Sequence, residues 1–208
     1  LDQVIHQELM RGEPCRNLAE AMTLLEPVAA ALDVAHRHKI AHRDLKPANI
    51  MVLGDPRAEQ VNIKVLDFGI AKVMAEHDDL QQQLKATGQE ITSFTPHYGA
   101  HEQFSRRYGA TGPWTDVYAM ALILLEVVLG KRALSGLKVY DLGLESCNEQ
   151  YRPTPRTLGL QVSDIVENIF ARCLAVAPAA RPPSMSAMWS ELHQAVFGVT
   201  WRVAGSSL

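Results

Sequence analysis

Residues 117–129 make up the most apolar run of the chain, interrupted by nothing more polar than Tyr118 and Glu126. A membrane-spanning helix needs roughly 20 such residues, so this run predicts a helix buried in a protein core. Thr115 and Asp116 stand where they would cap its start, and Gly130 where it would stop. No span is expected elsewhere. With 208 residues, 47% hydrophobic and 21% charged, the chain can bury enough apolar surface to fold as one domain, which excludes a disordered class. Twenty basic against 23 acidic side chains give a net charge of −3, so no positive field invites a polyanion and nucleic acid is not an expected partner. The three cysteines, Cys15, Cys147 and Cys173, share no metal-type spacing. They fit a reducing, cytoplasmic setting, each as a small buried side chain.

Around the apolar run the pattern is mostly helical. Leu18, Met22, Leu25, Val28 and Leu32 recur at helical spacing over residues 18–38, with Asn17 as N-cap and Pro27 expected to kink the helix or remove one backbone bond. Two short apolar stretches, 50–53 and 63–66, flank the turn Gly54-Asp55-Pro56-Arg57 and predict a β-hairpin. Residues 67–113 read as one long loop, of a length that is usually functional. Further helices are expected over 139–147, 162–175 and 184–197, with 198–208 as a tail. The expected fold class is mainly α (α+β), helical with one small hairpin.

The polar run before the hairpin reads His42-Arg43-Asp44-Leu45-Lys46-Pro47-Ala48-Asn49, and its second strand leads into Asp67-Phe68-Gly69. In this order, after a helix and after a strand, the two strings resemble the catalytic loop and metal-binding motif of the eukaryotic-type (Hanks-type) serine/threonine protein kinases, in a bacterial-like form. The residue types suit the chemistry. Magnesium is a hard cation that prefers oxygen, and Asn49 and Asp67 offer an amide and a carboxylate. The resemblance implies that Asp44 is the base for an acceptor hydroxyl, that Lys46 sets positive charge against the transferring phosphoryl, and that ATP and Mg are the cofactors. It also implies structural roles for His42 in the loop and for Thr95 beside Asp44. Glu102 and Arg181 resemble the family's buried ion pair, and Asp116 the residue that holds the catalytic loop from below. The segment from Phe94 to Glu102 resembles the end of an activation segment, with His101 where proline is usual and Phe94 where glycine is. Lys46-Pro47 and Thr95 are the serine/threonine-specific form. Arg43 directly before Asp44 implies ordering by phosphorylation, with Thr87, Thr92 and Ser93 as candidate acceptors.

Only 41 residues precede His42, and neither G-x-G-x-x-G nor V-A-x-K occurs in the chain. The resemblance therefore maps residues 1–197 onto the large C-terminal helical lobe of a kinase domain, with the N-terminal β lobe missing. The chain is expected to be a piece of a longer protein that phosphorylates serine or threonine on protein substrates. Two other readings stay open. One is a kinase-like binding or regulatory module without catalysis, which the missing lobe and His101 favour; the other is a small-molecule phosphotransferase.

Overall fold

A computed structural model describes residues 1–58, 61–68, 94–136, 138–148 and 152–201. At its centre lies α4 (Pro113–Leu129, numbered in chain order with the helices below), in which every residue from Thr115 to Val127 is buried. A helix apolar on all sides is stable in water only when neighbours wrap it. Three do so: α2 (Leu18–Arg37), α6 (Asp164–Cys173) and α7 (Met185–Phe197) pack against α4, and α7 also packs on α2 and α6. Trp189, Tyr118 and Phe170 are the largest side chains sealed between them.

The ends of these helices follow their capping chemistry. Asn17 Oδ1 accepts from the Glu20 N–H at 3.0 Å and Glu20 Oε2 from the Asn17 N–H at 2.8 Å, a reciprocal cap on α2. Pro27 does not interrupt that helix. It lies on the exposed face, where water can serve the carbonyl that loses its partner. The start of α4 differs from expectation. Gly112 is the N-cap and Pro113 the first helical residue, and the Thr115 hydroxyl reaches back to accept from the Gly112 N–H at 3.0 Å. Asp116 lies inside the helix and its carboxylate goes elsewhere. Gly130, at φ 67°, closes the other end in the left-handed conformation. The 162–175 expectation shrinks to Asp164–Cys173, because Ser163 caps from outside the helix.

The hairpin pairs β1 (Ile50–Leu53) with β2 (Asn62–Val65), Ile50 facing Val65. Leu66 leaves the ladder but still donates its N–H to the Asn49 carbonyl at 2.8 Å. The expected long loop is not without structure where it is described. It holds a 3₁₀ turn at Pro96–Tyr98, the short α3 (His101–Phe104) and a second 3₁₀ turn at Arg106–Tyr108. The remaining helices are α1 (Asp2–Met10) and α5 (Val139–Ser146). Arg16 grips Glu8 with two guanidinium nitrogens in a buried pair and donates to the Pro56 carbonyl, which ties α1, the start of α2 and the hairpin turn together.

Two expectations fail at single residues. Cys173 is buried, but Cys15 is exposed and Cys147 half-exposed, because Cys15 falls in the connection between α1 and α2 rather than on an apolar stripe. Trp201 lies in the segment expected to fray, yet it is 6% exposed, packs on Trp189 and donates to Glu26 Oε1 at 3.1 Å. Among the described residues no helix is long and apolar enough to cross a membrane.

Candidate active site

The loop from His42 to Lys46 hangs on one buried carboxylate. Asp116, 1% exposed, accepts from the backbone N–H of His42 at 2.7 Å and of Arg43 at 2.8 Å, and its Oδ2 pairs with His36 Nε2 at 2.8 Å. His36 in turn accepts at Nδ1 from the Met185 N–H at 3.2 Å, which links the loop's anchor to α7. This grip holds Arg43 at φ 63°, a left-handed conformation that costs a non-glycine residue about 1–2 kcal/mol. Gln103 donates to the Arg43 carbonyl at 2.7 Å from the other side. His42 is fully buried, stacks on Phe68 with ring centroids 5.0 Å apart, and bonds the Leu66 carbonyl through Nε2 at 2.8 Å. The loop and the end of β2 are thereby fastened to each other.

Asp44, Lys46 and Thr95 meet in one cluster. Asp44 Oδ1 accepts from the Thr95 N–H at 2.8 Å, Asp44 Oδ2 lies 3.2 Å from Lys46 Nζ, and that ammonium donates to Thr95 Oγ1 at 2.8 Å. The side chains of Asp44 and Lys46 keep 19% and 26% of their surface exposed, so the carboxylate is fixed in direction but reachable from solvent. A carboxylate fixed this way would need little reorganisation to accept a proton.

Asn49 donates Nδ2 to the Asp44 carbonyl at 2.9 Å. Its amide nitrogen is thus committed, and the oxygen is the end left to face a cation. Asp67 directly follows Leu66, whose N–H is bonded to Asn49, and is exposed at φ 53°. The fold therefore brings Asn49 and Asp67 to the same mouth of the hairpin. Among the described residues no group of three or more His, Cys, Asp or Glu is gathered for a metal. Two oxygen donors fit magnesium, which keeps waters and takes phosphate oxygens for its other positions.

Behind the cluster lies the ion pair of Glu102 and Arg181, both side chains fully buried, with Nη1–Oε1 at 2.9 Å and Nη2–Oε2 at 3.0 Å. Its spare valences are used. Thr115 Oγ1 donates to Glu102 at 2.7 Å, and Arg181 donates to the carbonyls of Ala175 and Val176. His101 joins them. Nδ1 accepts from Arg181 at 3.0 Å while Nε2 bonds the Ser146 carbonyl at the end of α5. Burial, then the charges of Arg181 and Arg152, push the imidazole pKa down to about 3, so the ring is neutral.

Two buried polar pairs were not legible in the sequence. His36 has the signal of a polar residue on the apolar stripe of a helix; Glu126 has that of a lone carboxylate in the apolar run, and either demands a partner. The partner of Glu126 is Tyr98, whose hydroxyl donates to Oε2 at 2.6 Å. Burial raises the pKa of both groups. The candidate phosphorylation sites Thr87, Thr92 and Ser93 and the glycine at position 69 lie outside the described residues.

Comparison with known proteins gives a family match and a set of relatives. The family model of the protein kinase domain matches residues 3–193. The chain is 34% identical over 193 residues to the serine/threonine-protein kinase pkn3 of Myxococcus xanthus, covering 92% of this chain and 34% of that protein. It is 31% identical over 172 residues to the probable serine/threonine-protein kinase PknB of Lactococcus lactis, covering 82% and 25%. With PrkC of Bacillus subtilis, also a serine/threonine-protein kinase, identity is 28% over 176 residues, covering 85% and 25%. The chain thus spans about a third or less of the length of these curated relatives.

Proposed function

The chain belongs to the protein kinase family, and on that premise we propose that it forms the large helical lobe of an enzyme that transfers the γ-phosphoryl group of ATP to serine or threonine hydroxyls of protein substrates. The observation that carries this reading is the Asp44 carboxylate, held at one oxygen by the Thr95 N–H and at the other by the Lys46 ammonium, yet open to solvent. An acceptor hydroxyl beside Asp44 loses its proton to the carboxylate as its oxygen bonds the γ-phosphorus and the bond to the β,γ-bridging oxygen breaks, releasing ADP. Lys46 carries the positive charge that meets the equatorial oxygens of the transferring group. Asn49 and Asp67 are the residues that would hold magnesium, which when bound neutralises phosphate charge. His42, Asp116, Glu102 and Arg181 act through the loop and segment they hold, and Arg43 would meet a phosphate on the segment that ends at Thr95.

The serine/threonine assignment rests on Lys46-Pro47 with Thr95 and on the relatives being serine/threonine-protein kinases by name. His101, where the family usually has proline, is hydrogen-bonded at both nitrogens and ties the segment in place. The isolated 208 residues, which contain no Gly-rich phosphate loop and no strand lysine, should bind ATP weakly and turn over little or not at all. The test uses the protein in its full natural length with labelled ATP, Mg²⁺ and protein substrate. Phosphoserine and phosphothreonine should form, and Asp44→Asn should lower the rate about 10²–10⁴-fold. Transfer that survives Asp44→Asn would overturn the assignment of the base. Robust transfer by the isolated chain, lost in Asp44→Asn, would overturn only the statement about the fragment.

A further inference from the structure

Next to the Asp44 cluster lies a charged surface that the transfer reaction does not use. Lys131 and Arg132 directly follow the cap of α4, and both are exposed. Basic residues at this place complement the negative end of a helix, which accounts for Lys131. Arg132 has turned toward another element. Its Nη1 is 3.4 Å from Nε2 of His97, in the 3₁₀ turn Pro96–Tyr98, and its charge acts on the buried Tyr98 hydroxyl. This turn is the continuation of the segment whose Thr95 N–H is bonded to Asp44.

The acidic groups nearby are occupied. Glu126 is 5% exposed and takes the Tyr98 hydroxyl, while Glu145 is half-buried and accepts from the backbone N–H of Ser135 and Gly136 and from the Ser135 hydroxyl. Burial and the Arg132 charge both lower the His97 pKa, so His97 presents an uncharged ring. Among the described residues, the charge that faces solvent beside the turn is therefore the cationic pair of Arg132 and Lys131. From Thr95 to His97 is at most about 7 Å of backbone, which an extended peptide covers in about two residues.

We propose that Arg132, seated against His97 and Tyr98, is a specificity-determining residue that selects protein substrates carrying a carboxylate or phosphate side chain about two to four positions from the acceptor serine or threonine. The inference rests on the kinase reading of Asp44 and deepens it. A guanidinium suits this task because it binds a carboxylate or phosphate with two parallel hydrogen bonds. A lysine placed there in the substrate meets like charge and is rejected, so discrimination has an attractive and a repulsive part.

The test compares kcat/KM of the protein in its full natural length on peptides that share one serine and carry Glu, phosphoserine, Ala or Lys at each position up to four residues on either side. Glu and phosphoserine should exceed Lys by about tenfold at one or two of these positions, a few-fold from attraction and the rest from repulsion. Arg132→Glu should invert that order on the same peptides, and Arg132→Gln should flatten it. A preference for Lys, equal rates on all peptides, or an acidic preference that persists in Arg132→Glu would overturn the proposal while leaving the role of Asp44 intact. Loss of transfer from every peptide on Asp44→Asn is the separate control on that role.

Discussion

His101 shows how far one side chain can be read from its surroundings. It accepts from Arg181 and bonds the Ser146 carbonyl, and its pKa is pushed down to about 3. A histidine that titrates lower when folded than when unfolded leaves the unfolded chain holding more protons between those two values. Stability should therefore fall as pH drops from about 6.5 toward 3, by about 1 kcal/mol per pH unit, and be unaffected by this ring above pH 7. In His101→Phe the slope contributed by this ring should vanish in urea unfolding measured across that range; an unchanged slope would place its origin elsewhere. The cysteines separate in the same way. Burial pushes the Cys173 thiol up to about 12, so it should resist a thiol reagent until the chain unfolds, whereas exposed Cys15 should react at once. The positions of His42, Asp44, Lys46 and Asn49 in one short loop, and of Asp67 just after β2, could be picked out in the sequence because two short strings there resemble kinase motifs. His36 with Asp116 and Tyr98 with Glu126 were not legible. Their partners lie 80 and 28 positions apart, and only the packing of α2 and of the 3₁₀ turn onto α4 brings them together.

Helix α4 does more than fill the core, since its first turn carries the loop's anchor on one side and its last turns carry Glu126 on another. Removing the anchor in Asp116→Ala would leave two buried N–H groups without an acceptor, at about 1–3 kcal/mol each. Hydrogen exchange at His42 and Arg43 should then rise well above that of the α4 core; unchanged protection would mean that the loop holds its shape by other means. Breaking the buried pair in Arg181→Met should cost about 3–5 kcal/mol, because the Glu102 carboxyl would be left buried without its guanidinium, and chemical denaturation would show it directly. The existence of each long helix followed from its apolar stripe, but the ends did not. Gly112 offers no side chain to announce a cap; the signal lay in Pro113 and in Thr115 reaching backward. Pro27 removes one backbone bond, as expected, without ending α2, since on an exposed helix face water can serve the freed carbonyl.

The four packed helices form one core, and its edge reaches past the last residue matched by the kinase family model, at 193. Trp201 seals that edge against Trp189 and Glu26, so Trp201→Ala should destabilise the chain by about 3 kcal/mol in thermal or urea unfolding, whereas an exposed tail residue would cost nothing measurable. All of this packing serves to set a loop, a hairpin end and a segment of the chain against one another within hydrogen-bonding distance. On the proposed function, Asp44 at the acceptor hydroxyl and Lys46 at the transferring phosphoryl act as a unit. A double-mutant cycle on kcat/KM with Asp44→Asn, Lys46→Met and the pair, in the protein of full natural length, tests this most directly. The two losses should overlap, the double variant being little worse than Asp44→Asn alone. Losses that simply multiply, or an Asp44→Asn variant that keeps its full rate, would contradict it.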